Sequence, residues 1–234
     1  MSAVVWHDVE CGSYTADLPL WEELAAAAPG PVLDVGAGTG RVALHLARAG
    51  LEVTALDIDG ELLAELERRA RDAGLRVETV VADAGGFDLA GYGLVAVPMQ
   101  TIQLLPSRAG FLASARSAVV PGGLVALAIA TELETFDGAG GLPSPDVASH
   151  AGTRFVSQPT AVLSVPGATR IERLRQTIRP DGRRSTARDV IELAAVSARE
   201  LEAEGAAAGL QPEPARTIDP TPEHVGSEVV LLRG

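Results

Sequence analysis

The amino-acid sequence predicts an α/β fold in which a doubly wound parallel sheet carries helices on both faces. Between residues 17 and 130, short apolar runs alternate with longer segments whose apolar residues recur at helical spacing. The short runs are apolar throughout, which is typical of parallel strands buried on both faces. Turns rich in glycine and proline separate the segments. This alternation of strands and helices indicates a layered α/β domain.

The strands and helices of this core follow one another with few gaps. Asp17 is expected to cap the first helix, Pro19 lies in its first turn, and Gly50 and Gly74 close later helices. The turn Pro121-Gly122-Gly123 is expected to precede the fifth strand. The predicted strands are Val32–Val35, Val53–Leu56, Val77–Val81, Leu94–Val97 and Leu124–Ile129. The predicted helices are Asp17–Ala28, Arg41–Ala49, Glu61–Ala73 and Ser107–Val119.

The pattern changes after Thr131, where residues 131–169 are rich in Gly, Pro and Ser. Two further segments, Arg170–Arg179 and Arg184–Val196, flank Pro180-Asp181-Gly182-Arg183, which indicates a β-hairpin turn. We therefore predict a small antiparallel β insertion over residues 131–196.

The chain is expected to return to the core after this insertion. Ser197 and Glu200 have the spacing of a capping box at the start of a last helix. Two final strands are expected at Glu213–Ile218 and Glu228–Leu232. The predicted division is thus a cofactor-binding core at 1–130, an insertion or lid at 131–196 over the acceptor site, and a segment at 197–234 that completes a seven-stranded sheet.

Composition argues against several classes of function. The 234 residues carry a net charge of −12, so nucleic acid and anionic membranes would be repelled at long range, and we expect neither as a partner. All 19 basic residues are arginine, which excludes a Schiff-base lysine and the lysine of a P-loop. A single cysteine, Cys11, cannot form an internal disulfide, and the N-terminus lacks the basic and apolar regions of a signal peptide. These features predict a cytoplasmic protein.

A glycine-rich turn follows the first predicted strand and opens a helix. Such a turn binds polar ligands through backbone N–H groups at the helix N-terminus. Its sequence, Gly36-Ala37-Gly38-Thr39-Gly40, is G-x-G-x-G, and Arg41 occupies the position where a dinucleotide fingerprint has its third glycine. Asp34 precedes the turn, and a carboxylate there suits a cationic ligand better than a pyrophosphate.

The segment Asp34 to Gly40 resembles the first motif of the class I S-adenosylmethionine-dependent methyltransferases, and the later landmarks come in the same order. The resemblance spans about residues 17–130 and returns weakly at the last helix and strands. The layout is similar to small-molecule enzymes of the bacterial N-methyltransferase type, which insert antiparallel strands before the last helix. It implies a Rossmann-like seven-stranded sheet, with S-adenosylmethionine as cofactor and S-adenosylhomocysteine as product.

The resemblance also implies a role for each landmark. Asp34 would help to place the amino group of the cofactor, Asp57 would bind both ribose hydroxyls, and Asp83 would meet the adenine amino group. A carboxylate suits these tasks because it accepts several hydrogen bonds. The segment after the fourth strand would line the methyl-donor pocket. The expected cofactor-binding residues are Asp34, Gly36, Ala37, Gly38, Gly40, Asp57, Ile58, Asp83, Ala84, Pro98, Met99 and Gln100.

The function implied by the resemblance is methyl transfer to a small-molecule acceptor, an amine or a hydroxyl, by in-line displacement. Transfer from a sulfonium needs little beyond positioning and desolvation. Two other functions stay open at this point: aminopropyl transfer from a decarboxylated cofactor, and cofactor binding without catalysis. A homodimer is the expected assembly.

Tyr14 and His150 are the candidate catalytic residues. A tyrosine in the N-terminal segment closes over the cofactor in related N-methyltransferases, and the alternative for Tyr14 is packing against Trp21. His150 lies in the Gly- and Pro-rich segment expected to cover the acceptor. No spacing of metal ligands is found, so no metal site is expected. Further acid–base candidates are His7, His45, Glu132 and His224, of which His45 is expected to be partly buried or at the surface and His224 at the surface.

Residues 170–188 contain seven arginines but only two acidic residues, Glu172 and Asp181, with Asp189 next to the segment. One interpretation is an electrostatic handle for an anionic acceptor or for the acidic face of a second subunit. The other is a solvated hairpin whose arginines prevent edge-to-edge strand pairing. The sequence leaves both open.

Overall fold

A computed structural model of the protein describes residues 2–130, 133–222 and 224–234, except for the side chain of Ser2. The chain divides into two compact units. The smaller comprises Met1–Ser13 and Glu132–Ala195, and the larger comprises Tyr14–Thr131 and Val196–Gly234. The first thirteen residues, which we expected in the segment 1–130, thus cluster with the insertion. The roles predicted for the three segments stay predictions.

The larger unit contains six helices and seven strands among its described residues. Its helices are α2 (Leu18–Ala27), α3 (Arg41–Arg48), α4 (Gly60–Asp72), α5 (Thr101–Leu104), α6 (Arg108–Ala118) and α7 (Ala198–Ala207). Its strands are β1 (Val32–Val35), β2 (Val53–Asp57), β3 (Glu78–Val81), β4 (Tyr92–Val97), β5 (Val119–Ile129), β10 (Gln211–Ile218) and β11 (Ser227–Arg233).

These strands form one seven-stranded sheet in the order β10-β11-β5-β4-β1-β2-β3. The pairs β1–β2, β1–β4, β2–β3 and β4–β5 are parallel, whereas β11 runs antiparallel to both β5 and β10. The predicted seven-stranded doubly wound sheet is confirmed. Because the parallel strands share one direction, the residues that follow β1, β2, β3 and β4 lie at the same edge of the sheet.

Apolar side chains fill both faces of this sheet. On one face, Val32 of β1 lies in a cluster with residues of α2, α3 and α4, including Trp21, Leu46 and Leu66. On the other, Leu33 lies in a cluster with residues of α5, α6 and α7. Successive strand residues point to opposite faces, so β1 serves both clusters, and its one charged residue is the exception described below.

Side-chain caps begin helices of the larger unit. Asp59 caps α4, its side chain accepting from the backbone N–H groups of Glu61 and Leu62. Ser197 and Glu200 form a reciprocal capping box at the start of α7. The expected turn at residues 121–123 is instead a bulge within β5, where the pairing with β4 shifts register.

The smaller unit is a four-stranded antiparallel sheet with one helix. Its elements are α1 (Ser2–Cys11), β6 (Asp146–His150), β7 (Thr153–Val165), β8 (Ala168–Ile178) and β9 (Arg184–Ala194), and the strands pair in the order of the sequence. The hairpin predicted around residues 180–183 joins β8 to β9. The helix α1, the strand β6 and the full length of β7 were not predicted.

Most arginines of residues 170–188 form ion pairs within this unit. Arg175 donates two hydrogen bonds of 2.7 Å to Glu10 and also pairs with Asp189. Four other arginines of the segment pair with carboxylates: Arg170 with Glu192, Arg173 with Asp189, Arg183 with Asp181 and Arg188 with Glu172. Glu10 and Glu192 lie outside the segment, so its excess of positive charge is largely neutralised. This pairing argues against a free electrostatic handle.

None of the described helices is long and apolar enough to cross a membrane.

Candidate functional site

The glycine loop between β1 and α3 uses backbone angles that favour glycine. Gly36, Gly38 and Gly40 have φ values of +74°, +55° and +93°. A side chain at Gly36 would overlap that of Thr101, because an added Cβ would lie 2.5 Å from its Cγ2. The G-x-G-x-G spacing is therefore explained by the geometry of the loop and by its tight packing against α5.

Gly40 offers a test of this packing. Replacing it with alanine should lower the free energy of unfolding by about 2–4 kcal/mol, because the new Cβ would lie 2.6 Å from Leu66 Cγ at a positive φ. Gly50→Ala is the matched control: Gly50 also has a positive φ but no atom within 4 Å of its added Cβ, so the loss should be about 1 kcal/mol. Urea denaturation of both variants measures the difference. Equal losses would contradict the packing argument.

Asp57, the last residue of β2, connects the loop to the next turn. Its Oδ2 accepts a 2.8 Å hydrogen bond from the backbone N–H of Gly38, and its Oδ1 accepts one of 2.9 Å from that of Asp59. Each carboxylate oxygen has capacity for another donor. The side chain can thus hold the glycine loop and still accept hydrogen bonds from a ligand.

Asp34 is the one charged residue of β1 and lies inside the larger unit. Its side chain is 1% exposed, and neither carboxylate oxygen has a hydrogen-bond partner among the described residues. Burial raises the pKa of Asp34 to about 7, although the Arg41 guanidinium and the nearby backbone N–H of Ala43 act in the opposite direction. A buried carboxylate without a donor is costly and uncommon in folded proteins, so this group indicates a polar partner from outside the chain.

The ends of β2 and β3 carry an acidic residue beside exposed apolar side chains. Ile58 is 70% exposed and Val81 is 63% exposed, and Val81 is in register with Asp57. Asp83 lies two residues beyond β3 and is exposed, its Oδ1 accepting from the backbone N–H of Gly85 at 2.7 Å. Ala84 is buried. An apolar face next to free carboxylate capacity suits a flat heterocycle with an amino group.

The segment after β4 has a tight turn. Pro98 is buried, Met99 has a φ of +55°, and Gln100 precedes α5 without capping it through its side chain. Thr101 Oγ1 donates to the carbonyl of Pro98 at 3.1 Å. A positive φ at a non-glycine residue costs on the order of 1–3 kcal/mol, and such strain is concentrated at binding and catalytic sites.

The N-terminal segment of the larger unit is tied to the start of α3. Asp17 is buried and stands at the N-cap position of α2, as expected, but its side chain makes no capping hydrogen bond. Its carboxylate instead pairs with Arg41 at 2.5 Å and accepts from Trp21 Nε1 at 2.9 Å. Arg41 also donates to the backbone carbonyl of Tyr14 at 3.0 Å. His224 is half-buried, its ring 4.8 Å from that of Tyr14, rather than at the surface.

Tyr14 is 5% exposed, and its hydroxyl has no hydrogen-bond partner among the described residues. Burial raises the pKa of this phenol, and the Asp17 carboxylate acts in the same direction. The hydroxyl therefore keeps its proton at neutral pH. Ser227 lies near this hydroxyl and acts in the opposite direction on its pKa.

The other acid–base candidates lie elsewhere. His150 is exposed at the end of β6, in the smaller unit. His45 is half-buried in α3, and its Nε2 lies 2.7 Å from Glu22 Oε2. His7 lies in α1, and Glu132 falls outside the described residues. No group of three or more His, Cys, Asp or Glu side chains in the described part of the chain could hold a metal ion.

The larger unit thus brings the predicted cofactor residues to one edge of its sheet. Sequence reasoning missed the roles of Asp17, Val81 and Thr101. Asp17 stands at the N-cap of α2, four residues before Trp21, a spacing that indicates their contact. The contacts of Val81 and Thr101 depend on the pairing of strands and had no local signal.

Comparison with known proteins agrees with this geometry. Residues 32–123 match the family model described as a methyltransferase domain. Uncharacterised proteins of Mycobacterium bovis and Mycobacterium tuberculosis are 44% identical over 64 residues, which is 24% of this chain. The matched segment spans only 23% of the length of those relatives.

Solved structures resemble almost the whole chain. An amino pentose methyltransferase from Micromonospora echinaspora, solved with S-adenosylmethionine bound, is 20% identical with a TM-score of 0.72 over 98% of this chain and 97% of its own. A sugar N-methyltransferase from a Streptoalloteichus species is 19% identical with a TM-score of 0.74 over 100% of this chain and 93% of its own. Residues 32–123 therefore match a methyltransferase domain, and the fold of the chain resembles that of these solved methyltransferases.

Proposed function

We propose that the protein is an S-adenosylmethionine-dependent methyltransferase that acts on a small-molecule acceptor. The observation that carries the proposal is Asp34, a buried carboxylate whose oxygens have no hydrogen-bond partner among the described residues, at the edge of the sheet where the glycine loop begins. The ammonium group of the methionyl part would supply the missing donor. The family match over residues 32–123 and the structural neighbours support the same cofactor.

The other site residues fit the remaining parts of this cofactor. Asp57 has free acceptor capacity for a ribose diol while it holds Gly38. Asp83 and the backbone at Ala84 would receive the adenine amino edge, with Ile58 and Val81 providing apolar surface for the ring. We place Pro98, Met99 and Gln100 beside the methyl donor, and Gly36, Ala37 and Gly40 in the loop that passes the methionyl part.

When bound, S-adenosylmethionine supplies an activated methyl group, and the acceptor supplies the lone pair that receives it. The chain contributes orientation and exclusion of water, which suffice for a reactive donor. Tyr14 keeps its proton at neutral pH, so its hydroxyl would hold a ligand by hydrogen bonding rather than act as the base. The proton of the acceptor would leave to solvent, and the role predicted for His150, which is exposed in the smaller unit, stays a prediction.

The acceptor we favour is a small molecule with an amine, with a hydroxyl as the second choice. The amino pentose and sugar N-methyltransferases among the structural neighbours support this class. Incubating the protein with S-adenosylmethionine and panels of amino sugars, amines, amino acids and phenols, and measuring S-adenosylhomocysteine release, tests it. Turnover with one amine class is expected. Binding of the cofactor with no turnover on any panel would favour a non-catalytic relative.

Decarboxylated S-adenosylmethionine in the same assay distinguishes aminopropyl transfer. The decarboxylated donor lacks the carboxylate but keeps the amine and adenosine. The segment after β4 has no acidic residue to hold a polyamine, so we expect no transfer from this donor. Release of methylthioadenosine would replace the proposal with the aminopropyl alternative.

We propose a homodimer in which β9 pairs with its copy. Among the described strands β9 pairs only with β8, and Val190 in its middle is 46% exposed. Arg188 and Glu192 lie two residues to either side, so antiparallel pairing centred on Val190 would place each arginine opposite the glutamate of the other copy. Within one chain, Arg188 pairs with Glu172 and Glu192 pairs with Arg170. The dimer would join these ion pairs into a network across the interface.

Light scattering tests this assembly. We expect a dimer for the wild type, monomers for Arg188→Glu, and a dimer again for the double variant Arg188→Glu/Glu192→Arg. A monomeric wild type would exclude pairing through β9. So would a protein that stays dimeric in both variants. We further propose, from the single Cys11 and the net charge of −12, that the protein acts in the cytoplasm without a nucleic-acid partner.

A further inference from the structure

We infer that Arg41 is a positioning residue for the cofactor, fastening the segment before α2 to the glycine loop and placing a positive charge beside Asp34. This inference rests on the proposed function, since it assigns a role within the same site. Arg41 occupies the position where a dinucleotide-binding loop has glycine, and neither the family match nor the structural neighbours assign it a role.

The contacts of Arg41 are those of a fixed side chain. Its guanidinium is 10% exposed and forms a two-pronged pair with Asp17, which is 1% exposed, at 2.5 and 2.7 Å. It also donates to the carbonyl of Tyr14 and lies over the Tyr14 ring, 5.1 Å from its centroid. Trp21 completes the cluster from α2 by donating to Asp17. Buried, bidentate pairs of this kind fix geometry more strongly than exposed pairs.

These contacts affect the proposed site because of the place of Arg41 in the chain. Arg41 follows Gly40 directly, so the pair with Asp17 joins the end of the glycine loop to a segment 24 residues earlier. The same contacts hold the backbone of Tyr14, whose side chain is buried, as is that of Asp34. Arg41 thus orients the two elements that border the proposed site.

Arg41 also acts on Asp34 through its charge. The charged side chains near Asp34 are Arg41 at the start of α3, Asp57 at the end of β2 and Asp17 before α2. Arg41 lowers the pKa of Asp34, whereas Asp57 and Asp17 raise it. Tyr14 stays uncharged, and the His224 ring lies 4.8 Å from the Tyr14 ring. Arg41 is therefore the one cation in this group that favours the ionised form of Asp34.

The experiment measures binding of S-adenosylhomocysteine by titration calorimetry between pH 5.5 and 8.5. The variants are Arg41→Met, Arg41→Lys, Asp17→Asn and the double variant Arg41→Met/Asp17→Asn, which removes both charges but keeps an acceptor for Trp21. Arg108→Met is the matched control, because Arg108 forms a bidentate pair with Glu204 at 2.7 and 2.9 Å elsewhere in the larger unit. Thermal unfolding of each variant measures stability separately.

We expect Arg41→Met and the double variant to bind at least about tenfold more weakly, Arg41→Lys to recover part of the loss, and Arg108→Met to bind like the wild type. For the wild type, affinity should rise with pH and level off above about pH 7, once Asp34 is ionised. The pH at which the affinity stops rising should be higher in Arg41→Met and lower in Asp17→Asn than in the wild type. A loss of stability alone would not shift the pH dependence of binding in opposite directions in these two variants.

The outcomes separate this inference from the proposed function. A wild type that does not bind S-adenosylhomocysteine would overturn the proposed function. A wild type that binds, together with an Arg41→Met variant of equal affinity and an unmoved pH profile, would overturn the role of Arg41 alone. Equal weakening in Arg41→Met and Arg108→Met would show that only general stability had been lost, and would also overturn it.

Discussion

Replacing Asp34 with asparagine is expected to weaken binding of S-adenosylmethionine by about 100-fold while leaving the ligand-free protein at least as stable as the wild type at pH 8. The loss of affinity follows from removing a buried charge that would pair with the ammonium group, since breaking such a pair costs about 2–5 kcal/mol. The gain in stability follows because asparagine does not have to be ionised in an apolar environment.

The pH dependence of stability gives the same prediction a second measurement. The folded-state pKa of Asp34 is raised to about 7, above the unfolded value near 3.8, so the folded protein binds more protons than the unfolded chain between these values. Stability contributed by this proton is therefore present below about pH 4 and lost as pH rises through 7, a decrease on the order of 4 kcal/mol. In Asp34→Asn this part of the decrease should vanish.

Urea denaturation of the ligand-free proteins at pH 5 and pH 8 provides the stabilities, and calorimetry provides the affinities. An asparagine variant that binds the cofactor like the wild type would exclude Asp34 as its partner. A variant that is much less stable than the wild type at pH 8 would contradict the view that Asp34 is held in an unfavourable environment for the sake of a ligand.

Replacing Asp57 with alanine should have a comparably large effect for a different reason. The substitution removes the proposed acceptor for the ribose hydroxyls and the acceptor that holds the backbone N–H of Gly38. We expect affinity for the cofactor to fall by about 100-fold or more and the free energy of unfolding to fall by about 1–3 kcal/mol, because two backbone donors lose their partner. Calorimetry and urea denaturation measure the two effects.

Asp59 provides the control for Asp57. It lies two residues away in the same turn, and its side chain caps α4. Asp59→Ala should lower stability by about 1 kcal/mol with little change in affinity. Asp57→Asn, which keeps one carbonyl acceptor, should fall between the wild type and the alanine variant. If Asp59→Ala weakened binding as much as Asp57→Ala, the specific role of Asp57 would be wrong.

The parts of the fold that sequence predicted are those with local signals. Gly36, Gly38 and Gly40 stand where positive φ values are needed, and the Ser197–Glu200 box and the turn at residues 180–183 are set by neighbours in the chain. The three acidic residues could be placed because parallel strands end at one edge of the sheet.

The parts that were missed depend on contacts between distant residues. The helix α1 packs on the smaller sheet through Trp6, which meets Phe155 edge to face at 5.5 Å, and through Glu10, which pairs with Arg175 165 residues later. Asp17 was assigned to a helix cap because its local sequence allows one, but its carboxylate pairs with Arg41, which no local pattern indicates. Similarly, glycine and proline near residue 145 are typical of loops, so the strand β6 and the full length of β7 were not predicted.

Titration of the wild-type protein with S-adenosylmethionine, S-adenosylhomocysteine and NAD in one calorimetry series tests the central claim most directly. The claim is that Asp34, Asp57 and Asp83 form a site for a cationic nucleoside rather than for a dinucleotide. We predict saturable binding of S-adenosylmethionine and S-adenosylhomocysteine at one site per chain and no binding of NAD. An absence of heat with both adenosyl ligands, or binding of NAD with similar affinity, would contradict it.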